Sequence, residues 1–458
     1  MSQARLIQDI GNSMIAFIFL FFLCSYCSAQ DQIDTITIMQ ADAVIQPMKM
    51  FVGVLGDDRK SAACQETIAY FKHCCEWSGR FELTIEWLKK VPKKKRSVQQ
   101  LFDQEYDCAV FITYNGPDHD VEWRLYDTAQ GEMLQGKKIF APVQVSVDTK
   151  VQARLDQARL VMACRLAAQI LQELTAEPQP FMSKIVYRKK AGKLAGGSCS
   201  LVVTDFDGKN SQTVLQSRQR ILVSPRWTSD AEHPLLVFSE FTPNNVRLKM
   251  CDLLGRSAVV FDAEGTTVGV SYAPNSKDVI YCRSGDIWGY QYDVQHKKAV
   301  HSRIVYDGKT CSHPTLLANG DIIYCSQGSI KRYDAVTKKQ QALTAAGYCV
   351  APAYSAVSNK IVYAKRLNGQ MQLCVYDLQA QKHEQLTTVS SKPGDKDYRS
   401  DKTDPFWAPD GVHVVFCWER NEKSRIAILD TVTKEYQFIT PENEHCSYPA
   451  WSGNFSSL

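Results

Sequence analysis

The sequence lacks the short motifs that mark many enzyme active sites. It contains no Gly-x-Ser-x-Gly nucleophile elbow, no His-Glu-x-x-His metal motif, no phosphate-binding P-loop and no dinucleotide-binding glycine fingerprint. Its nine histidines are scattered and show no metal-ligand spacing. We therefore predict no catalytic residue, no metal site and no cofactor, and the sequence favours binding over catalysis.

Strong net charge and long apolar runs are also scarce. The formal net charge is +4 over 458 residues, a value that argues neither for nor against nucleic acid, and we predict no nucleic-acid partner. One apolar run covers residues 14–23, after Arg5 and before the small residues Cys27-Ser-Ala29. This arrangement is typical of a secretory signal peptide (residues 1–29) cleaved near Ala29, with an uncleaved membrane anchor as the alternative. We expect an exported protein that does not span the membrane.

Cysteine is abundant, with 16 in the chain. Beyond the predicted signal peptide no Cys-x-x-Cys pair occurs, so the spacing does not indicate a zinc site. Cys282, Cys325 and Cys417 share one position of a repeat described below, and equivalent positions around a ring lie far apart. We therefore predict that these three are small buried residues rather than disulfide partners. For the other cysteines disulfides and free thiols both stay open, because exported proteins can form disulfides.

The first half of the mature chain mixes helix and strand patterns. Residues 49–55 and 108–113 are short apolar runs that predict buried strands. Residues 61–77 have helical spacing, and a continuous apolar stripe over residues 151–174 predicts one long helix. We predict an α/β or α+β domain over residues 30–178.

The second half consists of strand and turn signals that repeat. An apolar strand with an aromatic last residue occurs six times, ending at Tyr187, Phe238, Tyr281, Tyr324, Tyr363 and Phe416. A strand closed by aspartate follows each copy, at Asp205, Asp252, Asp293, Asp334, Asp377 and Asp430. A usually aromatic strand precedes five of the copies, with Trp227, Tyr272, Leu316, Tyr354 and Trp407 at one shared position. A period of about 40 residues with four short strands is typical of a β-propeller. We predict an all-β, six-bladed propeller over residues 179–458.

The first repeat lacks its aromatic strand, while a spare one follows the last repeat. This spare segment is Pro449-Ala-Trp451-Ser452, and it matches the aromatic strands of the other repeats. We predict that it supplies the innermost strand of the first blade. Such a closure pairs two strand edges that would otherwise be exposed. A frayed tail is the alternative.

Propeller geometry predicts where a partner binds. Connections from the outermost strand of one blade to the innermost strand of the next meet at one mouth of the central channel. These connections are polar, small and aromatic, which suits a protein partner. The predicted contact residues at this mouth are Leu222, Ser224, Thr266, Thr267, Gly269, Thr310, His313, Tyr348, Ala351, Asp401, Asp404, His445 and Tyr448.

The mature N-terminus is a second candidate for binding. It carries β-branched residues, and an extended segment of this kind can add a strand to the sheet edge of a partner. Its predicted contact residues are Asp31, Gln32, Ile33, Asp34, Ile36 and Ile38. Packing on its own domain and disorder stay open as alternatives.

The arrangement of a signal peptide, a small α/β domain and a closed six-bladed propeller resembles the TolB family. The stretches that carry the resemblance include PMKMFVGVLGDD at residues 47–58, DCAVFITY at residues 107–114 and PFWAPDG at residues 405–411. The resemblance implies a non-enzymatic periplasmic component of the Tol–Pal system of Gram-negative bacteria. It further implies that the mouth binds a Pal-like outer-membrane lipoprotein and that the N-terminal segment contacts a TolA-like inner-membrane protein. Support of outer-membrane integrity and cell division would follow.

Two other functions remain as hypotheses at this stage. A propeller enzyme, such as a metal-dependent hydrolase, would place carboxylates and histidines together on the channel axis. A glycan-binding or small-molecule-binding propeller would show aromatic side chains around a ligand-sized pocket.

Overall fold

The computed structural model describes most of the chain in two compact units. The described residues are 46–92, 95–115, 120–139, 151–191, 198–262, 265–272, 279–293, 298–306, 308–345 and 347–455. The units are Met1–Ala167 and Ala168–Leu458. The predicted signal peptide and the N-terminal binding segment lie outside the described residues, and the predicted domain boundary at residue 178 stays a prediction.

The first unit is built on a five-stranded mixed sheet. Its strands are β1 (Met48–Leu55), β2 (Phe81–Trp87), β3 (Cys108–Asn115), β4 (Asp120–Asp127) and β5 (Glu132–Ile139). The described helices of the chain are α1 (Ala62–Trp77), α2 (Lys95–Phe102), α3 (Val151–Thr175) and a short 3-10 helix, Pro180–Met182. The strand order is β2-β1-β3-β4-β5, with β1 parallel to both neighbours. The predicted buried strands and both predicted helices are thus confirmed.

Helix α1 begins at a favourable cap. The Ser61 side chain accepts a hydrogen bond from the backbone amide of Cys64 at 3.2 Å, which satisfies one of the unpaired donors of the first turn. None of the described helices is long and apolar enough to cross a membrane.

The second unit contains six four-stranded antiparallel sheets, the blades of a propeller. Blade 1 contains β29 (His445–Trp451), β6 (Lys184–Ala191), β7 (Ser198–Asp205) and β8 (Gln212–Ser217). Blade 2 contains β9 (Ile221–Trp227), β10 (Leu236–Phe241), β11 (Val246–Cys251) and β12 (Ser257–Phe261). Blade 3 contains β13 (Thr267–Tyr272), β14 (Val279–Arg283), β15 (Asp286–Asp293) and β16 (Lys298–Val305). Blade 4 contains β17 (Cys311–Leu316), β18 (Ile322–Ser326), β19 (Ser329–Tyr333) and β20 (Gln340–Ala342). Blade 5 contains β21 (Cys349–Ser355), β22 (Lys360–Leu367), β23 (Gln370–Asp377) and β24 (Lys382–Gln385). Blade 6 contains β25 (Asp401–Trp407), β26 (His413–Arg420), β27 (Lys423–Asp430) and β28 (Tyr436–Phe438).

The closure predicted from the spare aromatic segment is confirmed. Strand β29 pairs antiparallel with β6, with Ala450 opposite Val186 and Trp451 opposite Ile185. The Trp451 indole donates a hydrogen bond to Ser183 Oγ at 2.7 Å, which fastens the closing strand to the segment before β6. The inner strands β29, β9, β13, β17, β21 and β25 contact one another in this order and return to β29. The six blades therefore form a closed ring.

The aromatic position of the repeat joins neighbouring blades. The Trp227 indole donates to the backbone carbonyl of Ala450 at 3.2 Å, and the Trp407 indole donates to that of Ala353 at 3.1 Å. Each of these bonds runs from one inner strand to the inner strand of the preceding blade. The tryptophans are also buried, so they combine apolar packing with a satisfied N–H group.

Polar side chains at repeated positions of the propeller stabilise its turns. The aspartates that close the third strands accept backbone amides from the turn after them, at Asp252, Asp334, Asp377 and Asp430. Thr344, Thr387 and Thr440 each accept a third-strand amide through Oγ1 at 2.9 Å. Both features are turn and strand-end chemistry rather than ligand sites.

All 14 described cysteines are buried, and none of them forms a disulfide. The thiols of Cys282, Cys325 and Cys417 donate to backbone carbonyls of the next blade, those of Cys311, Cys349 and Cys446, at 2.9, 2.9 and 3.4 Å. The prediction that these three are buried packing residues is confirmed.

Candidate partner-binding site at the propeller mouth

Every inner strand of the propeller carries a β-bulge at the same position. At each bulge, two residues of the inner strand lie opposite a single residue of the second strand. This single residue is the aromatic residue of the repeated apolar strand. The first bulge residue has a positive φ of 48 to 65° in all six blades. We call these six residues the bulge ring, and they are Ser224, Gly269, His313, Ala351, Asp404 and Tyr448.

The left-handed backbone of the bulge ring is costly for residues other than glycine. Such a conformation costs roughly 1–2 kcal/mol for a residue with a Cβ atom. Five of the six positions nevertheless hold a non-glycine residue, and at all five the second residue of the bulge is proline, as in Asp404-Pro405 and Tyr448-Pro449. Bulges redirect side chains and occur near binding and active sites. Strain repeated at one level of the channel therefore marks this ring as a candidate functional surface.

Side chains of distant blades meet inside the channel. Arg226 on β9 places its Cζ atom 5.3 Å from the centroid of the Phe406 ring on β25. Blade 1 lies between the blades of these two strands, so the contact joins two blades that are not neighbours. Arg226 also acts electrostatically on Asp404 of blade 6 and on His313 of blade 4.

Burial controls the charge states of these groups. It raises the pKa of Asp404, although the charges of Arg226 and Arg188 oppose the shift. It lowers the pKa of Arg226, opposed by Asp404. Burial, and then the charge of Arg226, lower the pKa of His313 to about 4, so this imidazole is neutral at pH 7. The pKa of Glu419 is raised, first by burial and then by neighbouring carboxylates.

The outer rim of the mouth exposes aromatic and arginine side chains together. Tyr348 is 51% exposed, and the Arg366 guanidinium lies 4.4 Å from its ring centroid. The Arg188 guanidinium lies 4.8 Å from the ring centroid of Tyr448. In blade 2 the cross-strand neighbours Ile221 and Phe241 are exposed by 54% and 38%. Tyrosine and arginine dominate binding energy at many protein interfaces, so this rim has the composition of a docking surface.

The predicted mouth residues fall into three groups by solvent exposure. Exposed at the rim are Thr266, Thr310, Tyr348 and His445. Half-buried are Ser224, Gly269, His313, Asp401, Asp404 and Tyr448. Buried in the blades are Leu222, Thr267 and Ala351. A partner could reach the first two groups, whereas the buried group can act only through packing. Whether any of them contacts a partner stays a prediction.

Sequence reasoning missed the channel residues Arg226, Phe406, Arg188 and Glu419. The prolines of the inner strands, such as Pro225 and Pro405, could have indicated them, because proline inside a strand commonly marks a bulge.

No group of three or more histidine, cysteine, aspartate or glutamate side chains among the described residues is placed to hold a metal ion. The metal-dependent hydrolase hypothesis therefore gains no support from this part of the chain.

Comparisons with known proteins place the propeller in a family. Residues 171–455 match the family model described as the TolB beta propeller domain, which is more than half of the chain. The chain is 28% identical over 133 residues to the Tol-Pal system protein TolB of Xanthomonas oryzae pv. oryzae (strain PXO99A), covering 29% of this chain and 27% of that protein. It is 22% identical over 121 residues to the Tol-Pal system protein TolB of Francisella tularensis subsp. mediasiatica (strain FSC147), covering 26% of this chain and 27% of that protein. The matches thus span about a quarter of the length of these relatives.

A solved structure shares the fold over a larger part of the chain. The crystal structure of TolB from Acinetobacter baumannii superposes with a TM-score of 0.68 at 22% identity, covering 89% of this chain and 97% of that one. At this identity the likeness shows a common fold. Together with the family match it leads to one conclusion: the chain belongs to the TolB β-propeller family.

Proposed function

We propose that this chain is a non-enzymatic, protein-binding scaffold of a Tol–Pal complex in the periplasm of a Gram-negative bacterium. In this role it binds a Pal-like outer-membrane lipoprotein at the propeller mouth and supports outer-membrane integrity and cell division. The family match and the names of its curated relatives support this assignment.

The observation that carries the proposal is the bulge ring below an aromatic and arginine-rich rim. The ring concentrates backbone strain at one level of the channel, and the rim exposes Tyr348, Arg366, Ile221 and Phe241 around the opening. Polar groups such as His313 and Asp404 lie inside this rim and can hydrogen-bond to an inserted loop. A central polar recess with an apolar and aromatic border suits a protein partner.

The N-terminal segment provides a second contact in the proposed function. Residues Asp31 to Ile38 would engage a TolA-like inner-membrane protein through strand addition. The two contacts together would link the inner and outer membranes.

The test is binding of the purified, mature chain to the Pal-like lipoprotein of the same organism, measured by calorimetry. We expect Tyr348→Ala combined with Arg366→Ala to weaken binding at least about tenfold, since interface hot spots contribute roughly 2 kcal/mol or more. Thr310 and His313 are further positions for substitution. The matched control is Val336→Ala, because Val336 is 86% exposed in a third-to-fourth strand turn at the opposite end of the propeller.

Two results would contradict the proposal. Unchanged affinity of the Tyr348/Arg366 variant would remove the mouth as the binding site. Failure of the wild-type chain to bind the lipoprotein would reject the partner itself.

A further inference from the structure

Two buried cysteines of the first unit contact each other through their sulfur atoms. Cys74 Sγ on α1 lies 3.8 Å from Cys164 Sγ on α3. Both side chains are almost completely buried, with exposures of 1% and 3%. The contact joins two helices that are 90 positions apart in sequence.

Several propeller cysteines use their thiols differently. Cys199, Cys282 and Cys325 donate to backbone carbonyls of the neighbouring blade. A thiol that donates to a carbonyl is engaged in a hydrogen bond of the reduced state. The sulfur atoms of Cys74 and Cys164 lie against each other, at a distance at which either thiol can donate to the other.

We propose that Cys74 and Cys164 form a disulfide that links α1 to α3 in the exported protein. The sulfur atoms must approach by about 1.8 Å to reach a disulfide bond length of about 2.05 Å. The proposal requires that rotation of the two side chains supply this movement.

Disulfide formation needs an external oxidant, which we assign by class as a protein or small-molecule disulfide. The thiolate of one cysteine attacks a sulfur of the oxidant, forms a mixed disulfide and releases one oxidant thiol. The thiolate of the second cysteine then attacks the mixed disulfide, forms the Cys74–Cys164 bond and releases the second oxidant thiol. Two electrons and two protons pass from the two cysteines to the oxidant. Since both thiols are buried, the reaction takes place before the helices are fully packed.

The cross-link would stabilise the first unit by restricting its unfolded chain. A disulfide that closes a loop of this length removes much conformational freedom from the unfolded state. We expect the oxidised protein to unfold at a midpoint roughly 5–10 °C above that of the reduced protein. The prediction that this disulfide forms in the cell rests on the proposed export of the protein. The prediction that it forms in vitro does not.

The experiment oxidises the full mature chain during refolding in a mixture of reduced and oxidised glutathione. Free thiols are then alkylated in denaturant, and tryptic peptides are analysed by mass spectrometry. We expect one cross-linked species that joins the peptide of residues 73–80 to that of residues 160–165, with the combined mass reduced by two hydrogen atoms. Cys75 shares the first peptide, so Cys75→Ala must retain the cross-link, whereas Cys74→Ala must abolish it.

The melting temperature provides an independent measurement. The difference between oxidised and reduced protein should disappear in Cys74→Ala and in Cys164→Ala. It should persist in Cys64→Ala, the matched control, which removes another buried cysteine of α1. Full alkylation of both cysteines after oxidation, or a cross-link that maps to a different pair such as Cys75 and Cys108, would overturn the proposal.

Discussion

Trp451 on β29 lies opposite Ile185 on β6, and its indole N–H donates to Ser183 Oγ at 2.7 Å. This pair closes the propeller, because it inserts the last strand of the repeat region into the first blade. The side chain of Trp451 is 2% exposed, so the closure also buries a large apolar surface.

Loss of this tryptophan should therefore strongly destabilise the propeller. For Trp451→Ala we expect the free energy of unfolding to fall by about 3–5 kcal/mol, because the change leaves a cavity and removes the hydrogen bond that Ser183 Oγ accepts. Urea denaturation followed by circular dichroism measures the effect. The control Val432→Ala, at a half-exposed turn residue, should stay within about 0.5 kcal/mol of wild type. An equally small effect of both changes would show that the closing strand contributes little to stability.

The positive φ of the bulge ring predicts that glycine has opposite effects on stability at two nearby alanines. Ala351 has a φ of 51°, whereas Ala353 lies in the same strand without this strain, and both are buried. Ala351→Gly should leave stability unchanged or raise it by up to about 1 kcal/mol, since glycine adopts a positive φ without steric cost. Ala353→Gly should lower it by about 1 kcal/mol. Thermal unfolding of the two variants side by side tests this, and equal destabilisation would mean that the positive φ stores no strain.

His313 should make stability depend on pH. Its pKa is lowered to about 4 in the folded protein, against about 6.5 in an unfolded chain. Between these values the unfolded chain binds more protons, so the contribution of His313 is present above pH 6.5 and is lost as the pH falls to 4. Between pH 7 and pH 4 we expect the free energy of unfolding of wild type to fall by up to about 3 kcal/mol more than that of His313→Asn.

Asparagine is a suitable replacement because it tolerates the left-handed backbone at this position. Asp404 and Glu419 have raised pKa values, so their burial cost falls as the pH decreases, but both groups are present in wild type and variant. Urea denaturation across this pH range isolates the difference. Parallel pH profiles of the two proteins would contradict a lowered pKa of His313.

Lys402 should be essential for the loop before β25. Its ammonium group is fully buried and lies 2.8 Å from Asp397 Oδ1 and 2.9 Å from Ser400 Oγ. Burial lowers its pKa, while the Asp397 carboxylate opposes this shift. Lys402→Met would leave that carboxylate without its cation and should cost about 3–5 kcal/mol.

An exposed ion pair provides the matched control for Lys402. Lys423 lies 3.2 Å from Glu442 Oε1, with side-chain exposures of 53% and 75%. Lys423→Met should cost no more than about 1 kcal/mol, because solvent screens such pairs. Chemical denaturation of both variants measures the contrast. Similar losses for the two lysines would indicate that burial adds nothing to the Lys402–Asp397 interaction.

Much of the fold could be predicted from local patterns. The apolar strand that ends at Tyr187 and its five equivalents fixed the number of blades, and the surplus segment around Trp451 predicted the closure. The long helix α3 followed from its continuous apolar stripe. These features depend on periodicity and on the cost of exposed strand edges, both of which are visible in a single sequence.

The candidate site was only partly predictable. The connections at the mouth followed from the order of strands, but the contact between Arg226 and Phe406 did not. Their blades are separated by a third blade, and bulges alter the direction of the inner-strand side chains. The cysteine contacts were not predictable either. Cys282 and Cys325 occupy equivalent repeat positions and lie apart. Cys282 instead donates to the carbonyl of Cys311, which occupies a different position of the next repeat.

The amino-acid sequence by itself determined the repeat, its turns and the strand that seals the ring, because each arises from interactions among residues close in sequence or from one unpaired edge. The tertiary structure alone decided which side chains meet across the channel and between helices. Those contacts depend on the curvature of the closed ring and on helix packing, since they join residues such as Arg226 with Phe406 and Cys74 with Cys164 that no local pattern relates.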